Sequence, residues 1–445
     1  MPGDAPLITH APEQTFAWRH GKPIPAREFL ADVHRVAAAL PDGSYLFNLC
    51  EDRYRFMVVF AAAMVRKQIC LMPPNSTAGA INELRESYRG SYCLSDKAVE
   101  GVDSAQFDYE QLREGQPPSD SDAPILIPLE QPVAILFTSG STGHPKANPK
   151  RWFDLQQEAI SGLSHFPFRA HAVQSLVATV PSQHMYGLAT SILFPWQGGF
   201  AVESGRPFFP ADIAAALARL PKPRVLITTP LHLRACVSAD LAWPELDFLI
   251  SATAPLPQEL AAAAEAALGT EIREIFGSTE TGSVAGRRSV HEEIWRLYDG
   301  ISLQPNAEGH CLQGGHVVEA VQLNDRIEID SAGRFRLLGR DSDMVKIAGK
   351  RASLSDLTHH LMAIPGVEDG LFLLPRDDNA NRRLTALVVA PTLTRQQLLQ
   401  SLAHSIDAVF LPRPLYLVTK LPRNATGKIP QAALQALMKS LQTKS

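Results

Sequence analysis

The first half of the chain shows two spacings of apolar residues, and each spacing predicts a different element. Helical spacing over Ala26–Leu40 and Arg55–Val65 predicts two helices, and apolar runs at Ser44–Leu49 and Gln68–Met72 predict short strands. Segment 103–122 is polar and contains proline and glycine, which predicts a surface loop. Helices and strands that alternate in this way are typical of a layered α/β domain.

The alternation continues to about residue 300. Further strands are predicted at Val133–Phe137, Ser175–Val180, Arg224–Thr228 and Phe248–Ser251. Further helices are predicted at Trp152–Leu163, Pro210–Leu220 and Gln258–Leu268. The last of these is rich in alanine, but its polar and charged residues give it the two faces of an ordinary amphipathic helix.

After Ile301 the pattern changes to short β segments, and glycine, serine and charged residues gather at Gly339–Asp343. We therefore predict an α/β protein with a domain boundary in that segment. Residues 1–340 would form a large N-terminal domain of layered α/β subdomains plus a β-rich subdomain. Residues 341–445 would form a small α+β domain, which is an ordinary size for a domain.

Composition and charge narrow the class of protein. The chain has 445 residues, of which 45% are apolar and 20% charged, and a formal net charge of −4, so nothing favours nucleic acid or an anionic membrane. The longest apolar run, Phe56–Val65, is too short for a membrane-spanning helix. The N-terminus lacks the pattern of a signal peptide. The five cysteines are widely spaced without a CxxC pair, so a disulfide framework or a zinc site is not expected. We expect buried or unreactive thiols and a cytoplasmic location.

The loop after the strand Val133–Phe137 carries the clearest chemical signal. Small residues let backbone N–H groups approach a phosphate chain, hydroxyls add donors, and a lysine adds a positive charge. The spacing differs from that of a Walker loop, and a helix is expected to follow. By itself the loop indicates nucleotide binding, with a surface turn as the alternative. Its candidate residues are Thr138, Ser139, Gly140, Ser141, Thr142, Gly143 and Lys146.

This loop resembles the signature loop of the adenylate-forming superfamily, which includes acyl- and aryl-CoA ligases, luciferases and the adenylation domains of peptide synthetases. A second stretch resembles the superfamily's aromatic-Gly-x-Thr-Glu motif, and its residues are Phe276, Gly277, Ser278, Thr279 and Glu280. The resemblance implies that the aromatic ring lies near adenine and that the threonine contacts phosphate. It also implies that the glutamate binds Mg²⁺, which prefers carboxylate oxygen.

Two motifs near the predicted boundary follow in the superfamily's order. Asp325 stands where the superfamily has Thr-Gly-Asp, whose aspartate holds the ribose, although Asn324 replaces the glycine. Gly339–Gly349 resembles the hinge motif. The resemblance implies that Arg340 binds the ribose and that Lys346 lines a thiol channel after the small domain has rotated. Ser342 stands at the pivot, where the superfamily has Asp or Lys.

The end of the chain resembles the superfamily's C-terminal Pro-x-x-x-x-Gly-Lys motif, at Leu421–Ile429. The resemblance implies that Lys428 is the catalytic lysine of adenylation and that a mobile C-terminal domain carries it. A lysine on a glycine-flanked loop can enter a cleft and bond both carboxylate and nucleotide as charge develops at the α-phosphorus.

Two central stretches are expected to shape the acid site. Val180–Leu188 resembles a motif whose histidine lies beside the carboxylate, so His184 either contacts the acid or is a core histidine. Ser251–Leu256, with Ser251, Ala252 and Thr253 as its candidate residues, resembles a Gly-Gly-Ala-Pro-Leu stretch that packs on adenine and substrate. Alanine and threonine replace the usual glycines there, which should narrow the space.

Together these motifs predict a ligase that uses ATP and Mg²⁺ to convert a small carboxylic acid into an acyl-AMP. The acyl group would then pass to a thiol, either of coenzyme A or of a phosphopantetheine on a separate acyl carrier protein. The short N-terminal region resembles aryl ligases of bacterial aryl-polyene pigment pathways, which implies a hydroxybenzoate-like acid.

Other functions remain open at this stage. A fatty-acyl ligase is the alternative within the superfamily, and a non-catalytic adenylate-binding regulator is the alternative from another class. A phosphotransferase would release ADP in place of AMP and pyrophosphate. A hydrolase is disfavoured because no Gly-x-Ser-x-Gly nucleophile elbow occurs in a strand-turn-helix context.

Overall fold

The computed structural model divides the chain into two compact units. The N-terminal unit is Met1–Gln304 with Cys311–Val321, and the C-terminal unit is Pro305–His310 with Gln322–Ser445. The predicted boundary after residue 340 lies inside the second unit, so residues 322–340 belong with the C-terminal part. The structure describes residues 3–73, 75–97, 99–102, 104–114, 123–139, 145–169, 172–307, 309–330, 333–340, 344–347, 350–374, 384–424 and 427–442.

The five helices predicted in the N-terminal unit are confirmed to within a few residues, at Ala26–Ala39, Arg53–Val65, Trp152–His165, Pro210–Ala218 and Gln258–Leu268, and the structure adds further helices that were not predicted. Helix α2 is apolar on all sides and almost entirely buried, as expected for a helix covered on every face. The helices are α1 (Ala26–Ala39), α2 (Arg53–Val65), α3 (Ala78–Ser87), α4 (Tyr109–Arg113), α5 (Trp152–His165), α6 (Met185–Leu188), α7 (Phe194–Gly198), α8 (Pro210–Ala218), α9 (Pro230–Ser238) and α10 (Gln258–Leu268), with a π-helical turn at Ala189–Leu193.

Strands of the N-terminal unit form two large sheets. The first has the order β10-β9-β5-β4-β6-β7, and the second runs β17-β16-β15-β14-β13-β11-β12-β2-β3 within this unit. Their bounds are β1 (Asp4–Pro6), β2 (Thr15–Arg19), β3 (Lys22–Pro25), β4 (Tyr45–Asn48), β5 (Ile69–Met72), β6 (Tyr92–Ser95), β7 (Gln106–Asp108), β8 (Leu126–Pro128), β9 (Pro132–Ser139), β10 (Pro145–Arg151), β11 (Ser175–Ala178), β12 (Ala201–Glu203), β13 (Arg224–Thr228), β14 (Phe248–Ser251), β15 (Glu271–Ser278), β16 (Gly282–Arg287) and β17 (Ile294–Leu297).

Parallel pairing dominates both sheets. In the first, β7, β6, β4, β5 and β9 are parallel and β10 is antiparallel. In the second, β15, β14, β13, β11, β12 and β2 are parallel. The carboxyl ends of neighbouring parallel strands meet at one edge, where ligands of open α/β sheets bind. The polar motifs that follow β11 and β14 therefore lie at the same edge of the second sheet.

The C-terminal unit is built around a sheet in which β26 lies between β25 and β27. Ala386 and Val388 pack toward one apolar cluster, whereas Leu387 and Val389 pack toward another, as the period of two in a strand requires. The elements from residue 302 onward are β18 (Ser302–Asn306), β19 (Gly309–Gly314), β20 (Val317–Gln322), β21 (Asp325–Ile329), β22 (Phe335–Arg340), β23 (Met344–Ile347), β24 (Lys350–Ser353), α11 (Leu354–Met362), β25 (Asp369–Leu373), β26 (Thr385–Val389), α12 (Arg395–Ser405), a 3₁₀ turn (Ala408–Phe410), β27 (Leu415–Leu417) and α13 (Gln431–Gln442).

Two local predictions are wrong. Segment 103–122 was expected to be a loop, but its described part contains β7 and α4, because Tyr109 buries its ring and Asp108 caps the helix. A helix was expected directly after the phosphate loop, but β10 intervenes because residues 145–151 pair with β9.

Among the described residues, none of the helices combines the length and apolar character that crossing a membrane would require.

Candidate active site

The predicted phosphate loop joins two antiparallel strands. Thr138 and Ser139 end β9, and Lys146 returns on β10 directly opposite Thr138. The central residues Gly140, Ser141, Thr142 and Gly143 lie outside the described part of the chain. The hairpin places the lysine and the first threonine of the motif at the same end of the sheet.

The Phe276–Glu280 motif ends β15 and turns the chain into β16. A Cβ at Gly277 would lie 2.1 Å from the carbonyl oxygen of Gly282, so the turn closes only around a glycine. The Ser278 amide donates to the Thr281 hydroxyl at 3.1 Å, and the Thr281 amide donates to the Ser278 hydroxyl at 3.2 Å. These contacts hold Thr279 and Glu280 at the tip of a closed hairpin.

The two motifs meet in space, although they are far apart in sequence. Lys146 Nζ lies 3.6 Å from Glu280 Oε1, and the side chains are 65% and 30% exposed. An ammonium and a carboxylate that both reach solvent could act on one polyphosphate. Mg²⁺ is usually held by one or two carboxylates together with substrate phosphates, so Glu280 fits the predicted metal ligand. Within the described residues, clusters of three or more metal-ligating side chains are absent.

A buried lysine beneath this turn escaped the sequence analysis. Lys150 is 9% exposed, and its Nζ donates to the backbone oxygen of Glu280 at 2.9 Å. Burial lowers the pKa of Lys150, and the charges of Glu158 and Asp154 oppose that shift. Had β10 been predicted as a strand, its period of two would have placed Asn148 and Lys150 together on the inner face.

A buried carboxyl group supports the other end of the turn. Glu158 on α5 is 1% exposed, and its Oε1 accepts the amide of Ser283 at 2.7 Å. Burial raises the pKa of Glu158 to about 7, against the opposing effects of the Ser283 amide and Lys150. Burial and the charge of Lys150 lower the pKa of the nearby His316 to about 4. Lys150 and Glu158 therefore hold the backbone on both sides of the turn.

The predicted adenine-side aromatic belongs to a short row of packed side chains. The rings of Phe276 and Trp295 lie 5.5 Å apart, and the guanidinium of Arg287 lies over Trp295 at 4.4 Å. Trp295 is 4% exposed. Phe276 therefore packs against a buried indole that belongs to none of the predicted motifs.

The predicted acid-site stretches lie at the carboxyl edge of the second sheet. His184 stands at the N-cap position of α6, where its side chain makes no capping hydrogen bond, and it is half-buried. Two residues later, the Tyr186 hydroxyl lies 3.0 Å from the Thr228 carbonyl and 2.9 Å from that of Ile250, its two possible acceptors. Since Ile250 precedes Ser251, the tyrosine brings the histidine turn and the Ser251–Thr253 stretch to the same edge.

The Ser251–Thr253 stretch keeps, at Thr253, the backbone conformation expected of glycine, although a larger residue stands there. Ser251 and Ala252 are buried, and Thr253 has φ = +82°. That region of φ favours glycine, and glycine is what the resemblance expects at this position. The backbone therefore keeps the glycine conformation while a threonine side chain occupies space beside it.

In the C-terminal unit, two of the predicted ribose ligands lie opposite each other. Asp325 begins β21 and Arg340 ends β22, and their Cα atoms are register partners in the antiparallel pair. Lys346 lies on β23 opposite Arg351. The predicted hinge residues 341–343 lie outside the described residues.

Lys428 lies on a short loop before α13. Its side chain is exposed, and its amide donates to Asn424 Oδ1 at 3.0 Å. The Asn424 amide donates back to the Lys428 carbonyl at 2.8 Å. This reciprocal pair fixes the backbone at the base of the lysine.

Comparison with known proteins gives a match along most of the N-terminal unit. The model of the AMP-binding enzyme family matches residues 14–308. A 4-coumarate–CoA ligase of Rhodobacter capsulatus is 31% identical over 265 residues, which are 58% of this chain and 64% of that protein. The match thus spans less than two thirds of that relative.

Solved structures of similar fold cover nearly the whole chain. The anthranilate CoA ligase AuaEII with anthranoyl-AMP has a TM-score of 0.80 at 18% identity, over 99% of both chains. The o-succinylbenzoate CoA synthetase of Bacillus subtilis with ATP and magnesium has a TM-score of 0.82 at 16% identity, over 96% of this chain and 97% of that chain. These similarities confirm the predicted α/β fold.

Proposed function

Because the chain belongs to the AMP-binding enzyme family, we propose that it is an AMP-forming acid–thiol ligase. The observation that carries this proposal is the approach of Lys146 Nζ to Glu280 Oε1 at 3.6 Å. It joins the phosphate loop to the proposed metal ligand at one point of the N-terminal unit. Relatives whose names denote CoA ligases support the same reaction class.

Each residue has a part in the proposed adenylation. Lys146 and the hydroxyl of Thr138 bind the phosphates, and Thr279 orients the phosphate that is attacked. Glu280 would hold Mg²⁺, and the ion would supply positive charge to neutralise the departing pyrophosphate. His184 orients the acid so that a carboxylate oxygen attacks the α-phosphorus. Lys428 stabilises the charge that develops there, and electrostatic stabilisation of this kind is usually the largest catalytic contribution.

We propose that the acid is a small aromatic one, of hydroxybenzoate type. Thr253 fills space at a backbone conformation that normally carries glycine, and the Tyr186 ring lies at the ends of β13 and β14, with its hydroxyl against the Thr228 and Ile250 carbonyls. Both features favour a short, flat acid over a long chain. The names of the coumarate and anthranilate ligases point to aromatic acids in those proteins.

The acceptor is a thiol, and we propose coenzyme A or a carrier-bound phosphopantetheine. The proposal rests on Lys346 in β23, which the superfamily resemblance places along a thiol channel. The two acceptors present the same pantetheine thiol, so they are separated by supplying each in turn. A holo carrier protein that accepts the acyl group faster than coenzyme A would identify the natural acceptor.

Separate measurement of the two half-reactions tests the ligase proposal. Lys428→Ala should lower pyrophosphate release by roughly 10²-fold or more while sparing transfer from supplied acyl-AMP to thiol, because the lysine acts on the α-phosphorus alone. Lys420→Ala is a matched control, since this exposed lysine lies in the same unit before the motif. Equal losses in both half-reactions would refute the assignment of Lys428.

A panel of acids tests the substrate class and the alternatives. Pyrophosphate release with hydroxybenzoates, short aliphatic acids and long-chain acids should be fastest with the hydroxybenzoates. Preference for long chains would refute the aromatic proposal and favour a fatty-acyl ligase. AMP binding without pyrophosphate release from any acid would indicate a regulator, and ADP production would indicate a phosphotransferase.

A further inference from the structure

An arginine five residues before Lys428 uses all three of its side-chain nitrogens in hydrogen bonds. Arg423 Nε donates to Asp369 Oδ2 at 2.7 Å, and its Nη2 donates to Asp369 Oδ1 at 2.7 Å. Its remaining nitrogen, Nη1, donates to the carbonyl oxygen of Gly427 at 2.6 Å. One planar side chain therefore joins the first strand of the small sheet to the residue that precedes Lys428.

The paired carboxylate is itself held in place. Asp369 begins β25, and its Oδ1 also accepts the amide of Gly370 at 2.8 Å. A two-bond contact between guanidinium and carboxylate restricts orientation as well as distance, which a lysine in place of the arginine cannot do. Since β25 pairs along its length with β26, Arg423 attaches the loop to the central sheet of the unit.

Apolar contacts secure the two ends of the same loop. Leu421 is 7% exposed and packs with Leu387 and Val389, and Ile429 packs against that cluster. Between these ends, Gly427 has φ = +79°, and its amide donates to the Asn424 carbonyl at 2.9 Å. Gly427 is therefore bonded through its amide to Asn424 and through its carbonyl to Arg423, directly before Lys428.

We propose that Arg423, together with Asp369, is a positioning residue for Lys428 in adenylation. The inference rests on the proposed function, in which Lys428 acts on the α-phosphorus. The position from which the Lys428 ammonium acts is set by the backbone that carries it, and Arg423 fixes the residue directly before that lysine. A misplacement of about 1 Å can cost roughly 100-fold in rate.

The test measures both half-reactions in five proteins: wild type, Arg423→Ala, Arg423→Lys, Asp369→Asn and the double variant Arg423→Ala/Asp369→Asn. Arg423→Ala should lower pyrophosphate release about 10–100-fold and leave transfer from supplied acyl-AMP within about threefold of wild type. Arg423→Lys and Asp369→Asn should fall between, because each retains part of the contact. The Arg423→Ala and Asp369→Asn losses should not add in the double variant, since both remove one interaction.

A matched control separates positioning from general destabilisation. Arg334 pairs with Asp330 in the β21–β22 hairpin of the same unit, with Nε to Oδ2 at 2.8 Å. Arg334→Ala should leave both half-reactions unchanged. Amide hydrogen exchange gives a readout independent of activity: exchange at Lys428 should speed up in Arg423→Ala and not in Arg334→Ala.

The outcomes distinguish the inference from the function on which it rests. If Lys428→Ala separates the half-reactions while Arg423→Ala lowers both equally or neither, the positioning role is refuted and the ligase proposal stands. If Lys428→Ala itself shows no separation, the proposed function fails and the inference fails with it. If Arg423→Ala does not fold, Asp369→Asn and Arg423→Lys carry the same comparison, because each keeps a polar side chain in place.

Discussion

Gly277 offers a direct test of how the Glu280 turn is built. In Gly277→Ala the new Cβ would lie 2.1 Å from the Gly282 carbonyl oxygen and 2.9 Å from Ser283 Cα, whereas ordinary contacts begin at 3.4 Å. Both opposing atoms are backbone, so β15 and β16 must separate by about 1 Å. Overpacking usually costs about 1–3 kcal/mol, and the rigid backbone places this case near 3 kcal/mol.

Two measurements follow from that displacement. Thermal unfolding should show a melting temperature lower by roughly 3–5 °C. Pyrophosphate release should fall by roughly 100-fold, because Glu280 moves with the turn. Gly79→Ala is the matched control, since Gly79 lies in α3 with no atom near its Cβ position, and it should stabilise by up to about 1 kcal/mol. Wild-type melting and activity in Gly277→Ala would refute the proposed close approach.

Further predictions concern pH and thiol reactivity. Burial lowers the pKa of His10 to about 4, so the unfolded chain takes up its proton first as the pH falls. The contribution of His10 to stability is present above pH 6.5 and is lost toward pH 4. Urea unfolding should therefore show wild type losing roughly 3 kcal/mol more than His10→Gln over that range, and equal losses would contradict the assignment. Cys50, Cys70, Cys93 and Cys236 are buried, whereas Cys311 is partly exposed. A thiol reagent should modify Cys311 in the native protein and the other four after unfolding, and rapid modification of several native thiols would contradict this.

The sequence by itself determined the family, the order of its motifs and most of the elements. Apolar periodicity located helices such as α1 and α10 and strands such as β13 and β14, because core-facing positions repeat with the geometry of each element. Resemblance to the superfamily's motifs singled out Glu280 and Lys428, and their residue types fit the phosphate and Mg²⁺ chemistry that the resemblance implies.

Tertiary structure alone decided which distant residues meet and what supports them. Lys150 and Arg423 carry no motif signal, because a lysine or arginine reads as a solvated charge until its surroundings are known. The approach of Lys146 to Glu280 depends on a hairpin, β9–β10, that lies beside a turn more than a hundred residues away. Such contacts are set by the packing of whole sheets, and local periodicity contains no information about them.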